Sequence, residues 1–103
     1  MPYVEFYYKE KNTNDYEILE VACFNLIVFE NILTSEIKEI AKKYNLAVEL
    51  IAYQVETKEL YKSFGIKNTG YYLVRPDMHI ALRSATLNTQ HLKNYLQQFL
   101  MVN

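Results

Sequence analysis

Two apolar runs dominate the first half of the chain. Phe24 to Phe29 is nearly continuous in apolar residues, which is typical of a strand covered on both faces, and Leu46 to Tyr53 is a second strand-like run. Between them, Thr34 or Ser35 caps a predicted helix that runs through Tyr44. Strand, helix and strand form a βαβ unit, so we expect a sheet that is at least partly parallel.

The second half predicts a short helix, a hairpin and a last helix. Thr57 is the candidate N-cap of the short helix, and Gly65 stands where a left-handed residue ends one. Strands Tyr71–Arg75 and His79–Arg83 form a hairpin, because Pro76 and Asp77 suit the second and third positions of a turn. Asn88 or Thr89 opens a C-terminal helix. The apolar side of that helix is expected to carry Leu92, Leu96, Phe99 and Leu100.

The N-terminal residues 1–23 read as a hairpin or extension on a core of residues 24–103. Strands Val4–Tyr8 and Tyr16–Val21 are predicted, with Lys11–Asp15 as the turn between them. Residues 1–103 are expected to form a single α/β domain. The element order predicts a thioredoxin-like three-layer sandwich with a mixed sheet, and a generic α+β domain stays open as the alternative.

Composition narrows the function classes. Half of the 103 residues are hydrophobic and the formal charge is −1, with no run of like charge beyond Lys42–Lys43, so we do not expect the clustered basic face that a nucleic-acid partner requires. The most apolar segment is interrupted by Asn25, and no basic leader precedes an apolar stretch, so neither a membrane span nor a signal peptide is expected. Cys23 is the single cysteine, which favours the reducing cytoplasm.

No catalytic or cofactor motif is recognisable. Thioredoxin-type oxidoreductases carry Cys-x-x-Cys at the start of the first long helix, but Glu30–Ser35 contains no cysteine, and Gly65–Tyr71 contains no proline to supply a cis-proline loop. His79 and His91 have no second ligand at metal-binding spacing, so no metal is expected. The two glycines stand apart, and without a Gly-rich loop we expect no FAD or NAD site and no other cofactor.

The run Tyr71–Arg83 resembles a signature of a known family. It is similar to the Leu-Val-Arg-Pro-Asp-Gly-x-Val-Ala-Trp-Arg motif in the C-terminal thioredoxin-like domain of FAD-dependent aromatic-ring hydroxylases, the phenol hydroxylase group. Leu60–Gly65 is similar to the pattern that precedes that hairpin, and the likeness covers roughly residues 24–100. It implies a redox-inactive domain engaged in subunit contacts, because the flavin, NAD(P)H and the phenol are handled by the family's large preceding domains.

Two positions depart from that motif. Met78 stands where the family has glycine, so a turn that keeps a positive φ there costs about 1 kcal/mol, and a different turn is the alternative. Leu82 stands where the family usually has tryptophan. We interpret the motif first as a structural one. Pro76 and Asp77 make the turn, while Arg75 and Arg83 at the strand ends can pair with carboxylates or carbonyls.

Three functional hypotheses follow. The first is a free-standing, non-catalytic domain that acts by protein contact, with self-association as a homo-oligomer. Its candidate interface residues, chosen because tyrosine is enriched at interfaces, are Tyr3, Tyr7, Tyr8, Tyr71 and Tyr72. The second is an accessory piece of a separately encoded flavin monooxygenase, and the third is a carrier of small aromatic ligands.

Overall fold

Strand β3 (Asn25–Phe29) is the centre of the fold, and all five of its residues are buried. In the computed structural model, which describes residues 3–99, β3 pairs in parallel with β4 (Ala47–Ile51) and antiparallel with β5 (Gly70–Val74). Strand β6 (Ile80–Ser84) pairs antiparallel with β5, so the sheet has the order β4-β3-β5-β6. The predicted α/β class and the partly parallel sheet are confirmed.

Helix α1 (Ser35–Tyr44) connects β3 to β4 as predicted. The Thr34 hydroxyl caps it by accepting the amide of Ile37, and Asn45 closes it in the left-handed region at φ 56°. The next segment is a 3-10 turn, Val55–Thr57, followed by α2 (Lys58–Ser63). Thr57 precedes α2 but does not cap it with its side chain, because its hydroxyl accepts the Gln54 amide at 2.9 Å and donates to the Ala52 carbonyl at 2.6 Å.

Alternating side chains of the sheet fill two apolar clusters. Leu26 and Val28 of β3 face a cluster with α1 and α3 (Gln90–Phe99), whereas Ile27 and Phe29 face a cluster with α2 and the N-terminal hairpin. Elements therefore cover both faces of the sheet. On α3, Leu92 and Leu96 are buried, Phe99 is exposed, and the predicted Leu100 lies outside the described residues.

The N-terminal hairpin exists, but its second strand was predicted in the wrong place. Strand β1 (Glu5–Tyr8) pairs with β2 (Lys11–Asn14), and Tyr16–Val21 forms turns and bends instead of a strand. Lys9 and Glu10 are the two residues between β1 and β2, and both adopt positive φ, 50° and 67°, which reverses the chain direction there. The Asn14 side chain then accepts the amides of Tyr16 and Glu17 and ends β2.

Candidate functional site: the loop edge and its lysine groove

Three connecting segments meet at one edge of the four-stranded sheet. Phe29, the last residue of β3, is in register with Ile51 at the end of β4 and with Gly70 at the start of β5. The segments that follow β3 and β4 and the segment that precedes β5 therefore gather there, and we call this side the loop edge. Ligands of open α/β sheets bind outside the carboxyl ends of strands, so the loop edge is the expected location of a ligand site.

Two of these segments are tied to each other by hydrogen bonds. The Asn31 side chain accepts the amide of Tyr53 at 3.2 Å, and the amide of Glu30 donates to the Ile51 carbonyl at 3.2 Å. Large apolar side chains nevertheless point into solvent here: Ile32 is 75%, Tyr53 53% and Val55 88% exposed. We call Ile32, Tyr53 and Val55 the apolar patch.

A groove of about 380 Å³ lies beside the apolar patch. Its floor includes Tyr53 and Tyr61, whose rings meet edge to face with centroids 5.0 Å apart. The Tyr61 hydroxyl donates to the Ile51 carbonyl, and burial, together with the charge of Glu30, raises the pKa of Tyr61 to about 12. We call this cavity the lysine groove; its lining is Tyr53, Lys58, Tyr61, Lys62, Gly65, Ile66 and Lys67.

The charges along the lysine groove are all positive. Lys58, Lys62 and Lys67 line it without a carboxylate in the lining, and within residues 3–99 none of the three makes an ion pair. Gly65 and Ile66 also border a second concavity of about 270 Å³, where Arg83 adds a fourth cation. A chain of net charge −1 thus carries one locally basic region.

A second cleft lies between the N-terminal hairpin and the 3-10 turn. It is lined by Tyr7, Tyr8, Lys9, Glu10, Gln54 and Glu56. The Tyr8 hydroxyl lies 2.5 Å from a Glu49 carboxylate oxygen and 3.0 Å from the Leu50 carbonyl, and burial with the Glu49 hydrogen bond raises the pKa of Tyr8. Tyr8 is therefore fixed in place, whereas Tyr7 is 49% exposed and lines the cleft together with Gln54 and Glu56.

The five predicted interface tyrosines separate into exposed and buried residues. Tyr3 is exposed and stacks on Tyr16 with ring centroids 6.3 Å apart. Tyr71 and Tyr72, however, are buried, so their assignment to an exposed interface is corrected. They lie on β5, an interior strand covered on both faces. The Tyr71 hydroxyl reaches the Asn88 carbonyl at 2.9 Å, and the Tyr72 hydroxyl donates to the Phe64 carbonyl.

The hairpin motif forms the turn that its sequence predicts. The amide of Met78 donates to the Arg75 carbonyl at 2.9 Å, which places Pro76 and Asp77 at the two central positions. Arg75 pairs with Asp77 across the exposed turn, and hydrogen bonding from His79, followed by the charge and hydrogen bond of Arg75, lowers the pKa of Asp77. Met78 follows at φ 71°. Arg83 is exposed and makes no ion pair within the described part of the chain.

Other chemistry-bearing residues are dispersed. Cys23 is a partly exposed free thiol, and His79 and His91 lie on different elements. Within residues 3–99, no group of three or more His, Cys, Asp or Glu side chains is arranged to hold a metal ion. Among the same residues, no helix is both long and apolar enough to cross a membrane.

Comparison with known proteins adds no assignment. No family model matches the chain, and no curated protein is significantly similar to it in sequence.

Sequence reasoning missed the lysine groove. Lys58 and Lys62 are four residues apart on one helix, which is a visible signal that they share a face. Lys67 and Tyr53 reach the same groove only because the segments after β4 and before β5 meet at the loop edge. That convergence depends on strand order, which the local pattern does not carry.

Proposed function

We propose that this chain is a non-catalytic thioredoxin-like domain that works by contact with other protein surfaces, first of all with a second copy of itself. The observation that carries this proposal is the apolar patch: Ile32, Tyr53 and Val55 are each more than half exposed on two segments joined by a hydrogen bond. Large apolar side chains concentrated on one side of a small domain mark interaction surfaces.

The strand arrangement supports the thioredoxin-like part of the proposal. The order β4-β3-β5-β6, with β3 and β4 parallel and the other pairs antiparallel, is the arrangement expected of such a sheet. The start of α1, where redox members of that fold carry their cysteines, here carries Thr34 and Ser35. The Thr34 hydroxyl caps the helix, so this position has a structural use without thiol chemistry.

Self-association is favoured over other contacts by charge and shape. A net charge of −1 gives two copies little mutual repulsion, and the half-exposed Tyr7 shares a cleft with Glu56 of the 3-10 turn that carries Val55. An unpartnered Cys23 is compatible with a reducing compartment, which we retain as part of the proposal.

A second candidate is a role as an accessory piece of a separately encoded flavin monooxygenase. The specific observation in its favour is Met78 at φ 71°, because the hydroxylase-type motif has glycine at that position and the turn keeps the left-handed geometry that suits glycine. A pull-down with a flavoprotein that lacks its own C-terminal domain tests this candidate, and retention of that flavoprotein is its expected result.

The test of the first candidate is the molar mass of the full chain in solution. Sedimentation equilibrium from low micromolar to about millimolar protein is expected to show a mass that rises from one copy to two as concentration increases. A mass of one copy at every concentration would remove self-association from the proposal and leave the flavoprotein contact to be tested.

A further inference from the structure

We propose that the lysine groove binds a small aromatic anion, with the lysine ammonium groups holding the anionic group and the tyrosine floor holding the ring. This inference goes beyond the proposed protein contact and does not depend on it. It rests on the groove's charge, its floor and its size.

The charge argues for an anion. Lys9 and Lys93 each lie 3.3 Å from a glutamate oxygen, but Lys58, Lys62 and Lys67 have no such partner within residues 3–99. Lys58 and Lys62 are also like charges at i and i+4 of one helix, an arrangement that costs stability when nothing neutralises it. A bound anion would relieve that repulsion, so the groove is electrostatically complementary to a negative group.

The nearest carboxylate on the floor side does not fill this role. Glu30 is close enough to Tyr61 to raise its pKa, yet it is not among the residues that line the groove and pairs with none of the three lysines. Its side chain instead accepts the amide of Asn31 at 2.8 Å. The cations therefore face the open space of the groove without an internal counterion.

The floor argues for a planar ring. Tyr53 and Tyr61 stand edge to face; Tyr61 and Ile66 are buried and close the bottom of the groove, so Tyr53 supplies the accessible ring. Tyr53 is about half exposed, and its hydroxyl makes no hydrogen bond within the described residues, so its exposed ring surface and its hydroxyl are accessible to a ligand. A volume of about 380 Å³ lies at the small end of ligand pockets, which suits a one- or two-ring molecule.

Aromatic carboxylates and mononucleotides share this chemistry. Both present a flat ring and a nearby anionic group, and three lysines can neutralise either a carboxylate or a phosphate. The shared feature is the ring joined to the anion, and the experiment separates the two sources.

The experiment is a titration of the isotope-labelled full chain followed by amide chemical shifts. The probes are 1-naphthoate, adenosine 5′-monophosphate, the neutral 1-naphthylmethanol and inorganic phosphate. We expect naphthoate or the nucleotide to shift amides around the lysine groove and to bind at least several-fold more tightly than the alcohol or phosphate alone. Whichever of 1-naphthoate and adenosine 5′-monophosphate binds with the higher affinity identifies the ligand class as an aromatic carboxylate or a mononucleotide.

Lysine variants test the assignment to this groove. Lys62→Gln and Lys67→Gln are each expected to weaken binding about two- to fivefold, the range for one partly exposed charge pair, whereas Lys38→Gln on α1 removes the same charge elsewhere and leaves binding unchanged. Unchanged amide spectra outside the mutated site establish that each variant is folded. Because Lys67 lies outside the helices and strands, its variant keeps the test valid if Lys62→Gln unfolds.

Three results would overturn the inference: equal binding of the neutral alcohol, shifts centred away from the groove, or equal affinity of all the lysine variants. Sedimentation of the same samples gives the copy number independently. Because Tyr53 belongs to both the apolar patch and the lysine groove, the titration is made at a protein concentration where the chain is a single copy. A chain that binds naphthoate and never reaches two copies contradicts only the self-association, and a single copy that does not bind contradicts only the groove.

Discussion

At the scale of single residues, Met78 carries an unfavourable backbone conformation. Its φ of 71° is in the left-handed region, where a residue with a side chain costs about 1 kcal/mol relative to glycine. The Met78 side chain, in contrast, packs favourably against the apolar cluster that contains Ile27 and Phe29. The two effects oppose each other, so replacing Met78 by glycine alone does not separate them.

A pair of variants isolates the backbone term. Met78→Gly and Met78→Ala both remove the packing, so we expect the glycine variant to be the more stable of the two by about 1 kcal/mol in urea unfolding. As control, Lys38→Gly and Lys38→Ala within α1 should show the opposite order by a similar amount. A Met78→Ala variant as stable as Met78→Gly would mean that the turn does not keep its positive φ.

The two glycines at the loop edge differ in how much space they leave for a side chain. A Cβ on Gly70 would lie 2.4 Å from the Ser84 carbonyl oxygen and 2.7 Å from Ile66 Cδ1, so Gly70→Ala is expected to destabilise by about 1–3 kcal/mol. A Cβ on Gly65 would meet nothing within 4 Å, and Gly65→Ala should cost only the left-handed backbone term of about 1 kcal/mol. Thermal unfolding of both variants checks the order, and an equal loss would count against the close approach at Gly70.

At the scale of elements, the strongly patterned segments were predictable. β3 and α1 follow from a continuous apolar run and from a capped, amphipathic stretch that ends at Asn45. Strand β2 was not predictable, because its residues Lys11–Asn14 are polar. The turn before it places Lys9 and Glu10 at positive φ, without the asparagine or glycine that would signal such a turn. Burial of Tyr71 and Tyr72 was also missed, since it depends on which strand becomes interior.

Helices α1 and α3 are joined through Glu36. The Thr89 hydroxyl donates to its carboxylate and Lys93 Nζ lies 3.3 Å from it; these hydrogen bonds lower the pKa of Glu36. A carboxyl whose pKa is lower in the folded chain than in the unfolded chain stabilises the fold at pH values above its pKa in the unfolded chain. This stabilisation is lost as the pH falls through its pKa in the folded chain.

Glu36→Gln is therefore expected to lower the urea midpoint at pH 7, with a loss that shrinks as the pH falls through the pKa of Glu36 in the folded chain. Glu39→Gln on the same helix is the control, because Glu39 makes no ion pair within the described residues. A loss for Glu36→Gln that is independent of pH would show that the charge of Glu36 does not join the two helices.

At the level of the whole molecule, the apolar patch and the lysine groove lie on one side of the sheet. The sheet brings the ends of β3 and β4 and the start of β5 to the loop edge, where the apolar patch and the lysine groove share Tyr53. Local pattern predicted each strand separately, but the shared edge exists only once the strand order is set. For this reason the candidate site could not be predicted from the sequence, although most of its elements could.

We propose that the apolar patch mediates contact between copies of this chain. Sedimentation of the double variant Ile32→Ser/Val55→Ser against the wild type tests it most directly, with Val21→Ser as control, because Val21 is 80% exposed outside the patch. We predict that the double variant stays at the mass of one copy at concentrations where the wild type and Val21→Ser reach two. A double variant that still reaches two copies at the same concentration would show that the apolar patch does not mediate the contact.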